Sequence, residues 1–354
     1  MLRAHTTKRR TIEFRDEDMP ALRPGHALVR VQHVALCGTD LHIWDDDYPT
    51  DLPLVQGHEF VGIIEAIDFG TEAAPGAEQL PVGAPVAVSP MVYCNECGPC
   101  KAGRYNVCQS ISCLGCYEDG ALAEVVSVPV GKLHVLPEGM PVRLAALGEP
   151  GSIAMQAVNR GTPVEGETAL VLGCGPIGLL ATLFLAERGV TVIASDLSES
   201  RLELARAFGA VATLKAGSGE FPNPEQQAEL ESWCPLSGPS LVIEATGVPV
   251  SFENAVRLAA PTARIVQVGI STATAALSMR DVPFKELDIR GSRNSLNLIP
   301  EALEVLNRHH DLAYKLITHS FDLKQLGQAF ETMLDPGQNV GKIVIDMPAS
   351  VLAS

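Results

Sequence analysis

The chain is short of positive charge: 26 Lys and Arg stand against 42 Asp and Glu in 354 residues, a formal net charge of -16. Such a surface repels phosphate backbones and anionic lipid headgroups, so neither nucleic acid nor a membrane is an expected partner. The N-terminal string MLRAHTTKRRTIEFRDED lacks an apolar run after its basic residues, so no secretory signal is expected and the cytoplasm is the favoured compartment. An uninterrupted hydrophobic span is missing as well. Ala169 to Ala186 carries no charge, but Gly173, Gly175, Pro176 and Gly178 break it where a spanning helix must be continuous, so it reads as strand, turn and helix. Cysteine, at nine residues, is too sparse for a disulfide scaffold. The clustering of most of the cysteines at short spacings suits metal thiolates in a reducing compartment.

What is present is apolar and turn-rich: 46% hydrophobic residues, 31 Gly and 25 Pro, enough for two domains with substantial cores. The first half sets short β-rich runs (Ala27 to Val34, Phe60 to Ile67, Pro85 to Pro90, Ala123 to Val128) between Gly/Pro turns, as in an irregular strand-rich domain. From about Gln156, strand-like runs at Thr168 to Leu172, Thr191 to Asp196, Leu241 to Thr246, Arg264 to Gly269 and Leu287 to Gly291 alternate with helical patterns. That alternation predicts βαβ units, a parallel sheet and a doubly wound α/β fold. Gly217 to Ser240 is polar and reads as a surface excursion with a helix around Glu225 to Trp233. A helical run Pro300 to Arg308 and a strand Lys342 to Asp346 follow, too short for a third domain and expected to return to the first.

In VLGCGPIGLL, Gly173, Gly175 and Gly178 lie between a buried strand and a helix whose apolar face begins at Ile177, with Pro176 at its first turn. The first glycine permits a tight turn, the second a close backbone approach to a pyrophosphate, and the third close helix-strand packing, with the anion at the helix N-terminus. Asp196 ends the next strand, where a carboxylate accepts a ribose 2'-hydroxyl and repels a 2'-phosphate, which favours NAD over NADP. Arg201, five residues on, is a candidate for the adenine side of the cofactor or for a phosphate.

Cys94, Cys97, Cys100 and Cys108, spaced C-x2-C-x2-C-x7-C, are four thiolates for one closed tetrahedral site on a loop at about residues 90–110, and with no position left for water such a site is structural zinc. An iron-sulfur cluster and a zinc ribbon are the rivals, the second opposed by the charge. Cys113 and Cys116 make a further C-x-x-C, a redox pair, an alternative metal ligand set or two small, partly buried, inert residues, and the last reading is preferred. Cys174 and Cys234 are expected to be inert. Upstream, ALCGTDLH and GHEFVG carry Cys37, His58 and Glu59, and LGEPGS carries Glu149. A thiolate, an imidazole and one or two carboxylates suit a zinc with an open position for substrate.

These strings, in this order and followed by the cysteine cluster and GCGPIG, resemble the zinc-containing medium-chain dehydrogenases over nearly the whole chain, and within them the sorbitol, threonine and sugar-acid branch, where the glutamate of an EP motif replaces a third cysteine; Glu149-Pro150 matches. The resemblance implies a catalytic zinc on Cys37, His58 and Glu59, with Glu149 a direct or water-mediated ligand that exchanges with Glu59. It implies Asp40 as the carboxylate orienting the zinc histidine, Thr39 as the hydroxyl that hands on the substrate proton, and His42 as the relay to solvent. It further implies two zinc ions and NAD per subunit, and a homotetramer or homodimer. The fold it implies is a GroES-like catalytic domain of residues 1–153 plus 290–354 enclosing a Rossmann domain of residues 154–289, with cofactor and substrate in the cleft.

The substrate expected is a small-molecule secondary alcohol. RGSRNSLNLIPEALEVL and LITHSFDL are most similar to members that oxidise sugar acids, then to polyol enzymes, and Arg293 is a candidate partner for a substrate carboxylate. CGTDLHIW is also similar to threonine dehydrogenase, so an amino-acid alcohol is the runner-up. A protein that binds NAD and zinc without turnover is the reading from another class, and Thr39 and His42 argue against it.

Overall fold

The computed structural model describes residues 1–70, 80–217 and 221–348. The chain divides into two compact units, Met1–Pro150 with Ile299–Ser354, and Gly151–Leu298.

In the first unit the run HALVRVQHVA forms the strand His26–Ala35 because its apolar residues alternate: Ala27, Val29 and Val31 all face inward and are buried. This strand is the spine of a seven-stranded sheet ordered Leu133–Val135, Pro85–Val88, Glu59–Asp68, His26–Ala35, Lys342–Asp346, Ile317–Asp322, with Val125–Pro129 also pairing on the spine. The last strand of the chain thus enters the sheet beside one of the first, antiparallel to it through Val344 and Ala35. A smaller sheet joins Thr11–Asp16, Leu2–Lys8 and Leu54–Val55. The helix Ile299–Arg308 places Ile299, Ala302, Leu303, Val305 and Leu306 on one buried stripe, the spacing that makes it amphipathic. The sequence pattern had not marked Leu2–Lys8 or Ile317–Asp322, whose exposed or mixed faces blur the alternation.

The second unit is a six-stranded parallel sheet. Across it run Ala210–Lys215, Thr191–Asp196, Thr168–Leu172, Leu241–Glu244, Arg264–Gln267 and Asp288–Gly291, so the chain starts in the middle and reverses direction once, the doubly wound order of a Rossmann sheet. Thr168–Leu172 is buried at every residue, as a central parallel strand covered on both faces must be. Ala210–Lys215 was not expected from the sequence. Its inward residues are Ala210, Ala212 and Leu214, and alanine carries little hydrophobic signal. Within the excursion, Asn223 caps the helix Pro224–Trp233 by accepting from the Gln226 amide at 2.9 Å, and residues 218–220 of the excursion lie outside the described residues. No helix among the described residues is long and apolar enough to cross a membrane.

Candidate active site and metal centres

The helix Gly38–Trp44 begins directly after the spine strand, and Cys37 is its N-cap. The Cys37 backbone amide donates to Asp40 Oδ2 at 2.9 Å, which fixes both residues in the first turn. His58 and Glu59 open the neighbouring strand Glu59–Asp68. Gly57 before them takes φ +97, and a Cβ there would stand 3.0 Å from Val34 Cγ1 and 3.1 Å from Leu122, so any side chain is strained and crowded. The register Ala35 to Glu59 between the two strands brings the end of the spine to the start of this strand.

The result is that Cys37 Sγ, a His58 nitrogen and a Glu59 carboxylate oxygen all lie within 4.8 Å of one another. Soft, borderline and hard donors at that spacing fit one tetrahedral zinc and leave a fourth position free. Glu149, on the first turn of the helix Gly148–Gly161, stands outside this trio. It is buried, and burial first and the negative charge of Glu59 second push its carboxyl up to about 7. Thr39 Oγ1 is 3.9 Å from Cys37 Sγ. His42, three residues along the same helix face, is 64% exposed and its Nδ1 is 2.9 Å from Asp47 Oδ1.

Two neighbours were not read from the sequence in these roles. Lys342, the first residue of the strand Lys342–Asp346, is buried and donates to both Glu59 oxygens at 2.5 Å and to the Leu36 carbonyl at 3.1 Å. Burial alone would lower its pKa, but Glu59 and then Cys37 outweigh burial and hold it above the ordinary lysine value. Its signal in the sequence was a lysine opening the apolar string KIVID. The second C-x-x-C pair, expected to be partly buried, is buried, and Cys116 Sγ lies 3.6 Å from His58 Nδ1. Asp40 Oδ1 lies at the same distance from that nitrogen. Burial opposes charge on His58, yet Asp40 and Cys116 raise its pKa well above the usual value.

The four-cysteine loop is equally compact. Cys94, Cys97, Cys100 and Cys108 place their sulfurs within 4.8 Å of one another, with Cys97 to Cys108 at 3.9 Å and Cys94 to Cys100 at 4.0 Å. Four thiolates about 2.3 Å from one zinc stand at about this separation. Backbone amides of Cys94 and Ser110 donate to Cys108 Sγ at 3.4 and 3.3 Å, and the Gln109 backbone amide leads the causes that bring the Cys97 thiol down to about 6. Backbone donors of this kind stabilise thiolate. The loop is pinned by Tyr93, which stacks on Tyr105 at 4.4 Å and lies under the Lys132 ammonium at 3.7 Å.

In the second unit, Gly175 caps the helix Pro176–Ala186, with Pro176 and Ile177 as its first residues. Gly173 takes φ +95, and a Cβ on Gly178 would stand 1.8 Å from the Gly173 carbonyl oxygen, so strand and helix meet there at backbone distance. Gly175 faces open space. Asp196 accepts from the amides of Cys174 at 2.7 Å and Ser198 at 2.9 Å, which holds its carboxylate against the glycine loop. Arg201 lies half-buried on the following helix, Glu199–Ala207. Arg293 lines a cavity of about 530 Å³ with Gly247, Val248, Gln267, Gly269 and Ser292. Cys174 and Cys234 are buried, and burial raises their thiols to about 12 and about 11.

A profile of the alcohol dehydrogenase GroES-like domain matches residues 23–138, and a zinc-binding dehydrogenase profile matches residues 176–308. The chain is a zinc-type medium-chain dehydrogenase. It is similar to the starvation-sensing protein RspB of Escherichia coli K12, 33% identical over 337 residues that make up 93% of this chain and 94% of that one. It is also similar to L-galactonate-5-dehydrogenase of the same organism, 32% identical over 324 residues, 90% and 91% of the two chains. The crystal structure of RspB from Escherichia coli CFT073, complexed with NADH, gives a TM-score of 0.87 at 32% identity and covers 98% of this chain and 99% of that one. Members of the family are zinc-type NAD(P)-linked oxidoreductases acting on alcohols, and the GroES-like and Rossmann folds of this dehydrogenase are the ones its sequence led us to expect.

Proposed function

We propose that this dehydrogenase oxidises a secondary alcohol of a polyol or sugar acid to the ketone, passing the hydride to NAD. The observation that carries this reading is the meeting of Cys37, His58 and Glu59 within 4.8 Å, with Glu149 buried beside them. Those residues would hold the catalytic zinc, which supplies Lewis-acid chemistry that eases loss of an alcohol proton, as it lowers the pKa of bound water to about 7. Cys94, Cys97, Cys100 and Cys108 would hold the structural zinc.

The chain's own groups do the rest. Asp40 and Cys116 face the outer nitrogen of His58 and set its orientation. Lys342 draws both Glu59 oxygens to itself, which leaves room for Glu149 as the alternative carboxylate ligand. Thr39, beside Cys37, relays the alcohol proton by giving up its own hydroxyl proton as it accepts, and His42 on the same helix face receives a proton and hands it to solvent with Asp47 as its partner. Gly173, Gly175 and Gly178 make the pyrophosphate turn ahead of the helix Pro176–Ala186, and Asp196 accepts the ribose hydroxyls and favours NAD. A glutamate in place of a third cysteine and the similarity to L-galactonate-5-dehydrogenase support the polyol or sugar-acid substrate, with Arg293 as a candidate carboxylate partner.

The test is NADH formation over a panel of aldonates, polyols, L-threonine and simple alcohols, with NAD and with NADP. The highest kcat/KM is expected for an aldonate or polyol with NAD. L-Threonine leading the panel would replace the substrate class, and no turnover of any alcohol by the zinc-loaded protein would favour a binding protein.

A further inference from the structure

Gln56 is fully buried between Val55 and Gly57, two residues before His58. Burying a side-chain amide without partners is unfavourable, so its contacts report what holds it there. Its side chain bridges Thr6 and Asp40. The Thr6 hydroxyl donates to Gln56 Oε1 at 2.5 Å, and Gln56 Nε2 donates to the Asp40 carbonyl at 2.8 Å and reaches Asp40 Oδ1 at 3.5 Å. Asp40, itself fully buried, touches both of the inner zinc ligands: Oδ2 accepts from the Cys37 amide at 2.9 Å, and Oδ1 stands 3.6 Å from His58 Nδ1.

We propose that Gln56, braced by Thr6, is a positioning residue for the catalytic zinc ligands, because its amide holds Asp40, by the backbone carbonyl and at longer range by Oδ1, where the carboxylate faces Cys37 and His58 together. The inference rests on the reading of Cys37, His58 and Glu59 as zinc ligands. Its physical basis is rotational. The Asp40 carboxylate turns about its Cα–Cβ bond, and the Gln56 amide fixes the main chain from which it turns through the Asp40 carbonyl at 2.8 Å, with a longer contact of 3.5 Å to the oxygen that the Cys37 amide leaves free. Thr6 is a suitable brace because it belongs to the strand Leu2–Lys8 and pairs directly with Leu54, two residues before Gln56. The amide is therefore held by the same sheet that holds its backbone.

Zinc release to a colorimetric chelator reads this separately from turnover, because the protein carries two kinds of site and the four-cysteine site serves as an internal control. Gln56→Met keeps the volume and loses the hydrogen bonds. It is expected to speed release of the catalytic zinc about 10–100-fold, the usual range for groups that orient a ligand, and to leave the four-cysteine phase unchanged. Thr6→Val should give a smaller acceleration of the same phase, and Thr6→Ser should restore the native rate. Equal acceleration of both phases would mean a general loss of structure and overturn the proposal, as would native release from both Gln56→Met and Thr6→Val. If Gln56→Met does not fold, Thr6→Val against Thr6→Ser decides alone. A native protein that binds a single zinc, or a Cys37→Ser variant that keeps both phases, instead removes the zinc reading beneath the proposal.

Discussion

At the Glu59 carboxylate, both oxygens lie 2.5 Å from the Lys342 ammonium, and both side chains are withdrawn from water. A buried pair of this kind adds little net stability, but removing one partner leaves a charge with neither water nor counter-ion. Lys342→Met is therefore expected to cost about 3–5 kcal/mol in a urea titration, with Glu59 and Glu149 left facing each other, and Lys342→Arg should recover part of it. A Lys342→Met protein as stable as the parent would show that the pair does not hold the fold together. His134 is a second residue whose environment sets its behaviour. Burial first, and the Lys132 charge second, bring its pKa from 6.5 down to about 4, and its Nε2 has no hydrogen-bond partner among the described residues. A folded-state value below the unfolded one means that this stabilisation is present above pH 6.5 and is lost as the pH falls through 4. Melting temperature should fall across that window, and His134→Phe should flatten the fall; an unchanged slope would place the acid sensitivity elsewhere.

The glycine turn shows how an element divides its tasks. Gly178 is needed by the fold, since a Cβ there would sit 1.8 Å from the Gly173 oxygen, while Gly175 has open space around it and an ordinary φ of -70. Gly178→Ala should lower the melting temperature by several degrees or prevent folding, on the order of 2 kcal/mol or more. Gly175→Ala should melt normally and weaken NADH binding about tenfold or more in a fluorescence titration, because the methyl group meets only the incoming pyrophosphate. Equal binding by Gly175→Ala and the parent would remove the pyrophosphate from this turn. Elements differ in the same way in how openly the sequence displays them. Thr168–Leu172 and Thr191–Asp196 are apolar runs between turns and could be read directly, whereas Ala210–Lys215 hides its alternation in alanines.

For the whole molecule, the decisive quantity is metal content. Two donor sets of different chemistry, one closed and one open, stand in the same unit. Cys97→Ser is expected to lower zinc from about two to about one per chain and to reduce the melting temperature, because structural zinc contributes folding energy directly. Cys37→Ser should also leave one zinc yet abolish turnover with little change in melting. Metal analysis with calorimetry on the two variants checks both, and a Cys97→Ser protein that melts normally without activity would exchange the roles of the two sites.

The sequence alone determined whatever depends on neighbours along the chain. Four cysteines within one loop, three glycines between a strand and a helix, and strands marked by period-two or continuous apolar runs are local patterns, because the contacts they make are closed within a few residues or a single turn. Cys37 stood in its own short string as a possible ligand, whereas Thr39 and Asp40 were named through the family resemblance, and the structure sets all three at one helix start. The tertiary structure decided the rest. Lys342 reaches Glu59 across 283 residues and Cys116 reaches His58 across 58, and Gln56 gains its meaning only when Thr6 and Asp40 arrive on either side of it. No spacing in the chain announces such encounters, since the path of the backbone through two sheets sets them, and burial then converts nearness into strong charge and hydrogen-bond interactions.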